Sequence, residues 1–211
     1  MSEKYADAID LIKPIGIVGD IVDEASSKGS SVRIADGAIY LNDEDISHTS
    51  IGARILSFVK QKLPTQPLVN FLKNLEDNPS FNSRKQLYKF LEHSALPVTN
   101  DGCFLAYKSV RDDFKDWHSN TIDNSVGQVV TMERNKIDEN PASHCSFGLH
   151  AGALDYAQNF NGGRTMVIVK INPRDVVSVP NDHNCQKLRC CKYEVVAVKK
   201  NELNDTYSAE Y

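Results

Sequence analysis

The side chains of this chain best suited to chemistry are six histidines, His48, His93, His118, His144, His150 and His183, and five cysteines. Around them three polar runs form a constellation in the second half. Trp117-His118-Ser119-Asn120-Thr121 leads into Asp123-Asn124-Ser125, and Cys145-Ser146-Phe147-Gly148-Leu149-His150 precedes a helix-like stretch containing Tyr156. The third run, Tyr193-Glu194-Val195-Val196-Ala197-Val198, reads as a strand in which Glu194 shares a face with Val196 and Val198, because side chains alternate. A carboxylate beside two valines sits at a wet strand end or is held by a cation such as Arg189 or Lys192.

Histidines near a carboxylate change charge close to neutral pH, and arginine or lysine meets anions by charge-assisted hydrogen bonds. Gly148 gives the backbone room to turn just before His150. The expectation is that His118, His150 and Glu194 line one polar depression with Tyr156 on its wall, and that Ser119 joins them in binding a ligand. Tyr107, Lys108, Arg111 and Arg189 then supply contacts to a small, polar, phosphate-bearing ligand.

Other chemistries have less to stand on. His144-Cys145, Cys185 and Cys190-Cys191 offer soft ligands, but adjacent ligands suit tetrahedral zinc poorly, since one turn wraps the ion only at a spacing of about two to four residues. No metal or cofactor is therefore expected. Nothing in the sequence lowers the pKa of one particular thiol, so the cysteines read as free and structural. A P-loop, a dinucleotide fingerprint, HExxH and GxSxG are all absent. No catalytic residue is assigned, and a non-enzymatic role leads.

The elements that must position these residues follow from hydrophobic period. Val32-Arg33-Ile34 and Ile39-Tyr40-Leu41 alternate around Ala35-Asp36-Gly37-Ala38, a hairpin signal within a lead-in over 1–48 whose loop is Ser26-Ser27-Lys28-Gly29-Ser30-Ser31. The acidic Asn42-Asp43-Glu44-Asp45 cluster lacks the ligand alternation of a calcium loop. Ile51, Ile55, Leu56, Val59 and Leu63 recur at helical spacing behind a Ser50 N-cap. A second helix opens on Pro67, carries Leu68, Phe71, Leu72 and Leu75, and stops at Asn78-Pro79; a third runs from about Ser83 and buries Leu87, Phe90 and Leu91. From Pro97 the period changes to two, with strands expected over 103–109, 127–132, 165–171, 176–179 and 193–198 and one helix near 153–160. The fold class is α+β, a short helical segment packed on a compact β-rich domain. Its boundary near 95–100 divides an N-terminal part, 1–95, from a C-terminal part, 96–211.

Composition agrees with a globular chain: 211 residues, 41% hydrophobic and 25% charged, enough to build a core. Net charge is −4, but 46–95 carries 7 basic against 3 acidic residues. A solvated helix face accounts for that excess, and nucleic acid is not an expected partner. No stretch approaches the ~20 apolar residues of a membrane span, and the N-terminus lacks the basic start and apolar run of a signal peptide. A cytosolic location follows.

Several ordered stretches resemble the C-terminal part of the phage rIIB protein family. They are Asp101-Gly102, Ala106-Tyr107-Lys108, Val110-Arg111, His118-Ser119-Asn120-Thr121 and Asp123-Asn124-Ser125, then Cys145-Ser146, Gly148-Leu149-His150, Pro173-Arg174-Asp175-Val176-Val177-Ser178, Pro180 and Tyr193-Glu194-Val195-Val196. The likeness covers about 99–198 strongly and the helices at 66–95 more weakly, and the family's N-terminal helix-turn-helix-like region has no clear counterpart. It implies an early phage accessory protein of the infected host cytoplasm, tied to lysis inhibition and to escape from host exclusion. Its implied partners are a phage rIIA-like protein or a host defence component. An order of strand, Gly148-Leu149-His150 turn, helix with Tyr156, strand ending at Asn172-Pro173-Arg174-Asp175 and late-strand Glu194 is also reminiscent of ADP-ribosyltransferases. That resemblance implies an alternative, an enzyme holding a nicotinamide dinucleotide, although Tyr107 and Lys108 stand where an early-strand histidine belongs. Convergence of His118, His150, Tyr156 and Glu194 in one pocket separates the two readings.

Overall fold

A computed structural model describes residues 32–61, 63–92, 96–162 and 165–199. The loop expected at Ser26–Ser31 and the histidine at 93 lie outside them. The expected hairpin is present: β1 (Val32–Ala35) pairs antiparallel with β2 (Ala38–Leu41), and β3 (Glu44–Asp45) adds a third strand. Asp36 and Gly37 both take positive φ, 52° and 76°, the mirror-image turn geometry that matches strand twist.

Three helices follow, α1 (Ser50–Lys60), α2 (Gln66–Glu76) and α3 (Phe81–Glu92). The cap of α1 is Thr49 rather than Ser50: its hydroxyl accepts from Gly52 N–H at 3.1 Å and donates to Ile46 O at 2.7 Å, leaving Ser50 inside the helix. Two adjacent cap-forming residues are equivalent in sequence, and the contact with Ile46 decides between them. The third helix starts two residues before Ser83, because the Ser80 hydroxyl already takes Ser83 N–H. Phe71, Leu72, Leu87 and Phe90 are fully buried as their spacing predicts, whereas Leu56 is only half-buried.

The second half forms one antiparallel sheet of order β5-β10-β7-β4-β6-β9-β8. Its strands are β4 (Phe104–Val110), β5 (Val129–Thr131), β6 (Leu149–Gly152), β7 (Thr165–Ile171), β8 (Val176–Ser178), β9 (Lys187–Cys190) and β10 (Lys192–Lys199), with helix α4 (Leu154–Asn159) after β6. Five strands and α4 fall where the period placed them. The sequence does not predict β6 or β9: 149–150 read as a turn, and 187–190 is assigned to no element.

Alternation gives this sheet two unlike faces. Phe104, Ala106, Val167, Val169, Ile171, Val195, Ala151, Leu188 and Cys190 are buried on the face that meets the helices. Phe104 stands against Phe71 of α2 and Phe90 of α3, with ring centroids 6.2 and 6.1 Å apart. One apolar cluster therefore runs from β1 through the helices to β10. The stretch 96–100 is itself tied down, with Arg54 donating to Leu96 O at 3.0 Å and Asn70 to Asn100 O at 2.8 Å. All five cysteines are free, Cys103 and Cys190 being buried. Among the described residues no group of His, Cys, Asp and Glu is placed to hold a metal ion, and no helix is long and apolar enough to cross a membrane.

Candidate functional site

The opposite, polar face carries a cluster of ionisable groups. The β6–β9 register sets His150 beside Arg189 and Gly152 beside Lys187, and period two brings all four to one face. Tyr107 of β4 pairs with Gly152 across the other side. Helix α4 lies close over this point because Gly152 has no side chain: a Cβ there would stand 2.5 Å from the Tyr156 ring and 2.5 Å from Gln186 O. The Tyr156 ring then meets His183 edge-on at 5.3 Å, with Lys187 Nζ 5.9 Å from its centre. Burial, with Asp182 and Cys145 nearby, pushes the Tyr156 phenol up to about 12, so it is a hydrogen-bond donor throughout the ordinary pH range.

Three cations surround His150. Arg189, 0% exposed, donates to Asn140 O (2.7 Å), Ser143 O (3.1 Å) and Ser178 Oγ (3.1 Å) and lies 3.6 Å from Asp138. Gly148, at φ 149°, makes room for its stem: a Cβ there would sit 3.1 Å from Arg189 Cγ. Lys187 is buried too, bonded to Asp182 Oδ2 at 2.9 Å and to His144 O. Lys108 comes from the core face; β4 and β6 share a single registered pair, and its ammonium takes His150 O at 2.9 Å, 5.7 Å from the Tyr193 ring. Three ammonium or guanidinium groups thus answer to two carboxylates at ion-pair distance, the remaining hydrogen-bond partners being backbone carbonyls and the Ser178 hydroxyl, dipoles that orient a cation without neutralising it.

Burial first, then the charges of Lys108, Lys187 and Arg189, press the His150 imidazole down to about 3. It is neutral in the folded protein, whereas in the unfolded chain it titrates near 6.5. Below pH 6.5 the unfolded state binds a proton that the native state refuses, so stability falls as pH falls, by up to about 1.4 kcal/mol per pH unit. Urea denaturation is expected to register about 1–2 kcal/mol less stability at pH 5 than at pH 7, and His150→Gln to remove most of that slope. Asp116 and Asp138, both lowered to about 2, lose their contributions only in stronger acid, so the two windows separate.

The remaining expected site residues lie elsewhere. Glu194 is on β10, with β7 and β4 between it and β6, roughly 14 Å away at strand spacing. Its cation is Lys170 (3.8 Å), which also pairs with Asp101 at 2.9 Å, and neither Arg189 nor Lys192. His118 and Ser119 are exposed on a loop folded around Asp116, whose carboxylate accepts from Ser119 N–H (2.6 Å), Thr121 N–H (3.1 Å) and Ile122 N–H (2.9 Å). Arg111 stacks at 5.7 Å on Trp117 of the same loop and lies 3.6 Å from Asp113. The single depression expected from His118, His150 and Glu194 is therefore not what the strand order builds. His150, Arg189, Lys108, Tyr107 and Tyr156 are brought together; His118, Ser119, Arg111 and Glu194 are not.

Sequence reasoning missed Lys187, Asp182 and His183. A signal existed for the first: Lys187 and Arg189 are two apart, so any strand through them puts both cations on one face. For His183 none did, since it opens a left-handed turn with Asn184 and Cys185 (φ 48°, 53° and 57°), a conformation that histidine and cysteine, unlike asparagine, seldom adopt.

The chain matches the family described as Bacteriophage T4 protein rIIB over residues 2–204, well beyond the 99–198 in which the resemblance was strong. Protein rIIB of Enterobacteria phage T4 is 36% identical over 192 residues, 85% of this chain and 61% of that protein. The chain thus spans less than two thirds of the length of this relative. No solved structure matches, so the ADP-ribosyltransferase likeness has none behind it.

Proposed function

The chain belongs to the Bacteriophage T4 protein rIIB family and is a phage accessory protein; from that premise we propose that it acts in host takeover by capturing an anionic group at the His150 cluster. The biological setting proposed is lysis inhibition or counter-defence in the cytoplasm of the infected host. The captured group belongs to a small nucleotide-like ligand or to a partner, a rIIA-like phage protein or a host defence component.

One observation carries the capture reading. A neutral, half-buried histidine is held beside three cations whose charge two carboxylates leave incompletely balanced. Such a point attracts a phosphate or carboxylate, and water is scarce enough there for the attraction to count. Arg189 and Lys187 act as positioning residues, since their bonds fix the loop carbonyls around the site. Lys108, His150 and Tyr156 are the half-buried groups of the cluster and, in this reading, the ones that meet the ligand.

Calorimetric titration with ATP tests this. The wild type is expected to bind, and Lys108→Met and His150→Gln to weaken binding about tenfold or more, the value of one charge-assisted hydrogen bond. Glu194→Ala, two strands removed, is expected to bind as the wild type does. Lys108→Met also removes the donor to His150 O, so urea denaturation of each variant is needed to separate lost binding from lost fold. ATP bound equally by all four proteins, or by none, would refute capture at this cluster.

A further inference from the structure

The two edges of the large sheet are finished differently. At β8, side chains of α3 and its approach occupy the backbone: Ser83 Oγ donates to Val177 O (2.6 Å), Asn78 Nδ2 to Val176 O (2.8 Å), and Gln86 Oε1 accepts from Val179 N–H (2.8 Å). At β5 nothing comparable is present among the described residues. Met132 N–H donates to Cys191 O and Val195 N–H to Gln128 O, both at 2.9 Å, which makes Val130 and Tyr193 the hydrogen-bonded pair between them. The N–H and C=O groups of Val129 and Thr131 therefore point outward, and among the described residues they have no partner.

This edge has a bulge at its start, where Gly127 N–H and Gln128 O both bond Val195, but the strand that follows is unguarded. From Ser125 to Met132 there is no charge and no proline, and Val126 and Val129 are each 52% exposed. Natural edge strands carry lysine, proline or a bulge at such places to keep other strands away.

We propose that β5 pairs with β5 of a second copy of this chain, antiparallel about a two-fold axis at Val130, so that the two sheets become one. The register follows from which groups are free: Val129 of one copy faces Thr131 of the other. On the exposed face β10 sets Glu194 beside Val129 and Lys192 beside Thr131, so each row across the seam carries a glutamate from one copy and a lysine from the other. Sliding to Val129 against Val129, or Thr131 against Thr131, would bring like charges into one row. Beyond Val129–Thr131 the chain leaves the strand, with a turn at Val126–Gly127 and a 3-10 turn at Arg134–Lys136, so the pairing is confined to these three residues. The chain is thus its own complement, which a foreign strand would have to imitate.

Sedimentation of the full chain from micromolar to hundreds of micromolar tests the pairing. A reversible dimer is expected, with slower exchange of the Val129 and Thr131 amides as concentration rises. Val129→Lys places a charge in the seam, and Thr131→Pro removes an outward N–H while leaving the bonds to β10 in place. Each should raise the dissociation constant by about tenfold or more with an unchanged far-UV circular dichroism spectrum. A wild type that stays monomeric throughout, as it would if another segment or another protein covers this edge, overturns the proposal. So does a dimer indifferent to both substitutions.

Discussion

Phe104→Ala is expected to lower the melting temperature by roughly 6–20 °C while unfolding remains a single transition. The ring is fully buried at the start of β4 and touches Phe71 and Phe90, the inward-facing aromatics of α2 and α3. Removing a buried phenyl costs about 3–5 kcal/mol, part transfer and part cavity, and in a chain of this size each kcal/mol moves the midpoint by about 2–4 °C. The cooperativity matters as much as the shift. Were 1–95 and 96–211 separate folding units, far-UV circular dichroism would follow the helices while Trp117, the single tryptophan, followed the sheet at another temperature. A continuous apolar cluster couples the two, so both signals should report one midpoint, in the wild type and in the variant. Two separated midpoints in the wild type would establish independent units.

Arg189→Met is expected to cost about 3–5 kcal/mol, although it keeps the apolar stem of the side chain. The guanidinium is fully buried and bonds to Asn140 O, Ser143 O and Ser178 Oγ beside Asp138. Methionine would leave these groups desolvated without a donor, and an orphaned buried acceptor costs more than a hydrogen bond contributes. Arg189→Lys should recover little, since a point ammonium cannot span two carbonyls and a hydroxyl as the planar fork does. Urea denaturation measures both; a loss below about 1 kcal/mol would mean that the 138–147 loop holds itself in place.

The same residue explains why part of the site was illegible. In the sequence Arg189 is a cation beside two cysteines, and only the pairing of β9 with β6 and β8 places it under the Asn140 and Ser143 carbonyls. His150 reads as a turn residue because strand recognition relies on apolar alternation. Here the polar side of the strand is covered by α4 and a loop, so polar residues sit where apolar ones are expected. Nearness along the chain points Glu194 to Arg189 or Lys192, whereas strand order sets Lys170 beside it.

What the sequence determined by itself is local or inherited. Period 3.6 located α1 to α3, period two located β4, β5, β7, β8 and β10, the Asp36-Gly37 pair located the hairpin, and ordered motifs pointed to the family. Each of these depends on interactions within a few residues or on residue order alone. Only the tertiary structure decided which strands are neighbours, which cations surround His150, and that Glu194 and His118 stand apart from it. Those outcomes depend on contacts between segments tens of residues apart, chosen by burial of the whole apolar face at once, and a slip of one residue in any strand would exchange its core side chains for its polar ones.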